Sequence, residues 1–181
     1  MSIELTYRGK ESATRILNNA GSAPFRVVKV FGRCLDDWHN MLVFGDNLSI
    51  MKTLMSRPDV RGQVRLVYID PPFSTNQEFK AGVSRTSTIS SSREDKSAYQ
   101  DLLVGDEYLE FLRKRLIFLK ELLADDGSIY VHIDWKMGHY VKALMDEIFG
   151  QERFINDIAR IKCNPKNFER AGYGNIKDMI L

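Results

Sequence analysis

Disulfide-stapled and metal-finger designs are excluded first. The 181 residues hold two cysteines, Cys34 and Cys163, far apart and in no metal-ligand spacing. Free thiols in a reducing cytosol are the expectation. No apolar run is long enough to span a bilayer and the N-terminus carries no signal peptide, so a cytoplasmic protein without a membrane partner is expected. The formal net charge of +2 is too small to argue for a nucleic-acid partner by itself. A basic excess exists only locally: Arg160, Lys162, Lys166, Arg170 and Lys177 face Glu169 alone within residues 160–177. Such a cluster can neutralise phosphates, although most are solvated faces. There is no internal repeat. An apolar content of 44% and a charged content of 28% are those of an ordinary globular chain, long enough for one domain with a real core.

The first forty residues are poorly patterned, with a short edge strand expected at 27–31. From there strand and helix signals alternate. Residues 41–44 read as a short apolar strand. Gly45, Asp46 and Asn47 turn into a helix whose Leu48, Met51, Leu54 and Met55 recur at three and four residues. Pro58 and Gly62 close that unit. Residues 64–69 are nearly continuous apolar, as in a strand buried on both faces. Residues 74–105 break the pattern. Within them, 84–95 are rich in Ser and Thr and have few groups to bury, so a long functional loop is expected. Asp106 reads as an N-cap for a helix striped by Leu109, Leu112, Leu116, Leu119 and Leu123. Asp125, Asp126 and Gly127 stop it before a strand at 128–133. Another helix, striped by Tyr140, Val141, Leu144, Met145, Ile148 and Phe149, ends at Gly150. Residues 154–161 read as a final strand. This alternation predicts an α/β fold with a doubly wound, mainly parallel sheet.

Ligands in such sheets sit beyond the carboxyl ends of the strands. There the sequence places Asp70, Pro71, Pro72 and Phe73. The two prolines have fixed φ and no N–H, so their carbonyls remain as acceptors in a stiff turn. A carboxylate, rigid carbonyls and an aromatic face together suit the exocyclic amine of a flipped nucleobase. The bland alternative is a strand-ending turn with a capping Asp. Asp46 is either a ligand group or the N-cap of its helix, and the two roles are compatible. His132 and Asp134 lie two apart on a strand and share a face. Nothing supplies a third ligand, so no metal site is expected. Ser74, Thr75 and Asn76 shape the pocket or cap the loop, and Trp135 reads as packing.

The Asp-Pro-Pro-Phe run resembles the Asp-Pro-Pro-Tyr motif of the amino-methyltransferases that act on adenine N6 or cytosine N4 in DNA. Phe44-Gly45-Asp46-Asn47-Leu48 is similar to the family's Gly-Asp-x-Leu segment. The Asp-Gly-Ser-Ile-Tyr-Val-His-Ile-Asp run ending at Asp134, Met145-Asp146-Glu147-Ile148-Phe149-Gly150 and Asn156-Asp157-Ile158 match its context. The resemblance is to adenine-specific β-class enzymes, most of all the modification subunit of type III restriction systems. It implies S-adenosylmethionine as cofactor, double-stranded DNA as partner, and catalytic roles for Asp70, Pro71, Pro72 and Phe73. Asp46, Asn47, Leu48 and Asp70 would bind the cofactor. Phe73 in place of Tyr keeps the stacking face and loses the hydroxyl. The family's Phe-x-Gly-x-Gly cofactor loop does not occur in these residues. Arg170-Ala171-Gly172-Tyr173-Gly174-Asn175 has the glycine spacing without a preceding strand. The resemblance therefore implies an incomplete methyltransferase fold: an N-terminal extension at 1–40, part of the catalytic core at 41–162, and the start of a truncated C-terminal region at 163–181. A separate C-terminal half or a restriction subunit would complete it, and the complete enzyme could dimerise. Alternatives are cytosine N4 methylation and an inactive nucleic-acid-binding remnant.

Overall fold

The computed structural model describes residues 4–32, 40–72, 77–81, 96–101, 105–162 and 177–181, with backbone alone for 77–81 and 96–101. Its first helix, α1 (Ala13–Asn19), is capped by Ser12, whose hydroxyl accepts from the Arg15 N–H. Ile16 on α1 is buried in the core. Helix α2 (Asn47–Met55) follows, then β1 (Val64–Ile69) and a hairpin of β2 (Gln77–Ala81) and β3 (Lys96–Asp101). Helix α3 (Gly105–Leu122) leads without a loop into β4 (Leu123–Asp134). Helix α4 (Gly138–Phe149), β5 (Ile158–Ile161) and β6 (Lys177–Ile180) complete the order.

The main sheet runs β1-β4-β6-β5. β1 and β4 are parallel, whereas β6 is antiparallel to both of its neighbours. The sheet is therefore mixed, which corrects the expectation of a mainly parallel one. The cause is β6, whose four residues carry no strand signature of their own. They pair between β4 and β5, and the register is held at the end by reciprocal bonds between Val131 and Leu181. Strand β4 also begins earlier than expected. Val64 pairs with Leu123 and Leu66 with Ser128, so Asp125, Asp126 and Gly127 bulge out of the ladder rather than end it. A Cβ at Gly127 would lie 2.7 Å from the Val64 carbonyl, so only glycine fits this close approach.

The two sheet faces differ. Val67, Val131, Ile133 and Met179 are buried, and the last three pack with Leu112, Leu116, Phe118 and Val141 from α3 and α4, and with Ile16 and Met51 from α1 and α2. On the opposite face Leu66, Tyr68 and Tyr130 are exposed. Among the described residues the helices gather on one face, an arrangement compatible with the expected α/β fold. The alternation along β1 reads accordingly: Val67 is buried between exposed Leu66 and Tyr68, not the two-sided burial that its continuous apolar run suggested.

Residues 41–44 form no strand. Leu42 and Phe44 are fully exposed, and the 27–31 segment likewise forms no strand, with Val28 and Phe31 exposed. Apolar composition alone does not make a strand, because strand formation depends on packing and pairing context. The N-terminal segment is instead clamped by charge. Glu110 accepts from the Tyr7 hydroxyl at 2.6 Å and the Glu11 N–H at 3.3 Å, and Glu147 accepts from Lys10 at 2.9 Å and the Leu5 N–H at 3.2 Å. Arg113 donates to the Glu11 carbonyl at 2.7 Å. Every charge buried here has a partner, which is the condition for tolerating it. Burial, reinforced by Glu110, pushes the Tyr7 hydroxyl far above its ordinary pKa.

Candidate active site

Asp70 follows the last paired residue of β1, since Ile69 pairs with Val131. The side chain is 59% exposed, and Pro71 and Pro72 behind it are half-buried. Phe73, with Ser74, Thr75 and Asn76, lies outside the described residues. The parallel register carries Asp70 alongside His132 on the middle strand, and the His132 Nδ1 stands 3.1 Å from the Asp70 Oδ1. His132 Nε2 lies 3.6 Å from Oδ2 of Asp178, a β6 residue that is fully buried. Asp178 in turn meets Arg160 at 3.1 Å and Lys162 at 2.6 Å, both at the β5 end. Sequence reasoning weighed His132 with Asp134 and missed this row, because it crosses to a strand that was not foreseen. Asp134 turns to the start of α4, where its Oδ1 accepts from the Met137 N–H at 2.9 Å.

Asp46 caps α2. Its Oδ2 accepts from the Ser49 N–H at 3.1 Å and the Ser49 hydroxyl at 3.0 Å. Arg115 on α3 reaches Asp46 Oδ1 at 3.2 Å and Asn47 Oδ1 at 2.8 Å, while its guanidinium lies 3.5 Å from the Phe111 ring centroid. Partial burial alone would raise the Asp46 carboxyl, but the two Ser49 bonds and the Arg115 charge outweigh it and hold it below the usual carboxylate range. Burial in turn lowers the Arg115 guanidinium, against the pull of Asp46. Leu48 packs against the core. Arg115 and Phe111 are further residues that sequence reading missed. They stand four apart on one helix face, a spacing that the leucine stripe masked.

Asp46 and Asp70 lie toward the same end of the sheet. The opposite end is pinned where the Gly62 N–H donates to the Glu121 carbonyl. Arg115 sits six residues before Glu121, roughly 9 Å up the helix toward its N-terminus. That is the direction in which β1 runs to Asp70. Trp135, read as packing, is 44% exposed just beyond β4 at this same end. Ligands of α/β sheets bind beyond the carboxyl ends of the strands, and there β1 carries a carboxylate followed by two prolines.

The particular family follows from comparison. Residues 64–181 match the family described as DNA methylase, and the chain belongs to that family. The chain is similar to the type II methyltransferase M.EcaI of Enterobacter cloacae, at 39% identity over 181 residues, 99% of this chain and 37% of that protein. It is also similar to the probable type III restriction-modification enzyme HindVI Mod subunit of Haemophilus influenzae, at 36% identity over 65% of this chain and 13% of that one. The EcoPI Mod subunit of Escherichia phage P1 is 27% identical over 78% of this chain and 24% of its own length. The expected likeness to restriction-modification methyltransferases is thus borne out, and it extends to type II enzymes. The chain spans little more than a third, or less, of the length of these relatives.

Proposed function

We propose that this chain carries the catalytic part of a DNA methyltransferase that methylates adenine at N6, within a restriction-modification system. The observation that carries the reading is Asp70-Pro71-Pro72 at the carboxyl end of β1, in a chain of the DNA methylase family. The adenine amine is a poor nucleophile because its lone pair is delocalised into the ring. The Asp70 carboxylate and the Pro71 carbonyl accept hydrogen bonds from its two N–H groups, which favours a tetrahedral nitrogen and aims its lone pair; the one proton in excess after transfer leaves toward Asp70. Phe73 stacks on the flipped base. In-line displacement then needs mainly positioning and electrostatics.

S-adenosylmethionine, when bound, supplies an electrophilic methyl group on a sulfonium. Asp46, Asn47, Leu48 and Asp70 are the residues proposed to hold it. Their arrangement fits such a ligand in part. The Asp46 side chain is 55% exposed and keeps acceptor capacity beyond its Ser49 and Arg115 bonds. Arg115 keeps that carboxylate ionised and oriented. These residues include no Phe-x-Gly-x-Gly loop, so the methionine portion of the cofactor is proposed to be held by chain outside them. In this reading residues 1–40 form an N-terminal extension, 41–162 the catalytic core and 163–181 the lead into a further region. Double-stranded DNA is the substrate. A C-terminal half or a restriction subunit is the protein partner, a homodimer is the form of the complete enzyme, and the cytoplasm is its place of work.

Transfer of labelled methyl from S-adenosylmethionine to mixed-sequence DNA, followed by nucleoside separation, tests this in the chain supplied with the C-terminal half proposed as its partner. Label in N6-methyladenine is expected. Label in N4-methylcytosine shows that the same two acceptors serve the other amine. Label in neither nucleoside overturns the reading.

A further inference from the structure

An Asp in a turn ordinarily fixes its carboxylate on a backbone N–H one to three residues ahead. Asp70 has Pro71 and Pro72 in the first two of those places, and neither carries an N–H. The carboxylate projects past the last paired residue of its strand and is 59% exposed. Among the described residues a side chain stands where it can aim that carboxylate. His132 stands in that place, its side chain only 10% exposed on the middle strand, with Nδ1 3.1 Å from Asp70 Oδ1.

Behind the ring the row continues. Nε2 lies 3.6 Å from Asp178 Oδ2. Asp178 is buried to 1% and flanked by Arg160 at 3.1 Å and Lys162 at 2.6 Å. Arg160 and Asp178 are direct cross-strand partners, so this end of the row is fixed by the β5–β6 register. Acidic and basic groups alternate from the sheet edge to Asp70.

We propose that His132 is the positioning residue for Asp70. It transmits the fixed geometry of the β4–β6–β5 strands to a carboxylate followed by two residues without an N–H. The inference rests on the methyl-transfer reading above. A carboxylate that must accept a proton from an amine while the lone pair faces the methyl donor tolerates little drift, and a displacement of about 1 Å costs on the order of 100-fold in rate. His132 touches neither base nor cofactor in this role. It acts on kcat through Asp70.

Two measurements test it. Nitrogen-15 imidazole spectra of the 181-residue protein separate His39, His132 and His139. Asp70→Asn, an exposed and nearly isosteric change, should move the Nδ1 resonance of His132 and leave the other two rings in place. In methylation assays the Asn amide of His132→Asn occupies the Nδ1 position and should keep kcat within about tenfold. His132→Gln, whose amide reaches toward Asp178 instead, and His132→Leu should lose about 100-fold in kcat with unchanged KM for DNA and S-adenosylmethionine. An unmoved His132 signal in Asp70→Asn overturns the proposal, even where the Leu variant fails to fold. Wild-type kcat in the Gln variant overturns it too, as does equal loss in all three His132 variants, which marks a merely structural role. Absence of methyl transfer by the wild type removes the reading on which the proposal rests, whereas a moved signal in that case still establishes the contact.

Discussion

At the scale of single residues, the site is built from carboxylates whose surroundings differ. Asp46 accepts from Ser49 and Arg115 and keeps acceptor capacity beyond them, whereas Asp70 has two prolines ahead of it and a histidine alongside. Asp46→Ala removes the N-cap of α2, and a loss of about 1 kcal/mol in unfolding free energy is expected by urea titration. Asp46→Asn retains a capping oxygen and should lose less. The pH dependence follows from the lowered carboxyl. The unfolded value is about 3.9 and the folded one lies below it, so the contribution is complete above roughly pH 5 and fades as pH falls through the folded value. The stability gap between wild type and Asp46→Ala should therefore narrow as the titrations are repeated toward about pH 3. A gap that widens on acidification would assign Asp46 a different partner.

At the scale of elements, α3 organises the molecule. One of its faces presents Leu112 and Leu116 to the sheet, another holds Arg113 and Glu110 against the N-terminal segment, and a third offers Arg115 to α2. Leu116→Ala, at a fully buried position, is expected to cost about 3 kcal/mol in the same titration. A cost below about 1 kcal/mol would mean that the site relaxes into the gap. The leucine stripe of α3 and the apolar stripe of α4 were legible because a 3.6-residue period sustained over twelve or more residues fits a helix and little else. Helix α2, nine residues long, was legible from a shorter stripe of the same period, and its Asp46 cap from the residue type at the turn before it. Strand β6 was not, since four residues, Lys177 to Ile180, acquire their conformation from the ladder they enter. Residues 41–44 misled in the opposite sense: an apolar run that joins no ladder stays exposed, with Leu42 and Phe44 in solvent. In the site, Asp70 and Asp46 could be read from local motifs. His132 with Asp178 and Arg115 with Asp46 are contacts across 46 and 69 positions, beyond the reach of any local pattern.

At the scale of the whole molecule, one sheet face is packed under helices and the other shows Leu66, Tyr68 and Tyr130 to solvent among the described residues. The same chain lacks the glycine loop proposed to hold the methionine end of the cofactor. Asp46 and Asp70 alone offer a few partly solvated hydrogen bonds, each contributing about 1 kcal/mol, far from the ~8 kcal/mol of a micromolar complex. Calorimetry on the 181 residues should therefore find no micromolar binding of S-adenosylmethionine, and micromolar binding by these residues alone would show that they hold a complete cofactor site. The most direct test of the account as a whole is the modified-base content of plasmid DNA from a methylation-free host. The host would express the methylation-competent polypeptide containing this chain, as wild type and as Asp70→Ala. The account predicts N6-methyladenine with the wild type and none with Asp70→Ala at equal levels of folded protein. Undiminished N6-methyladenine in the Asp70→Ala DNA would contradict it.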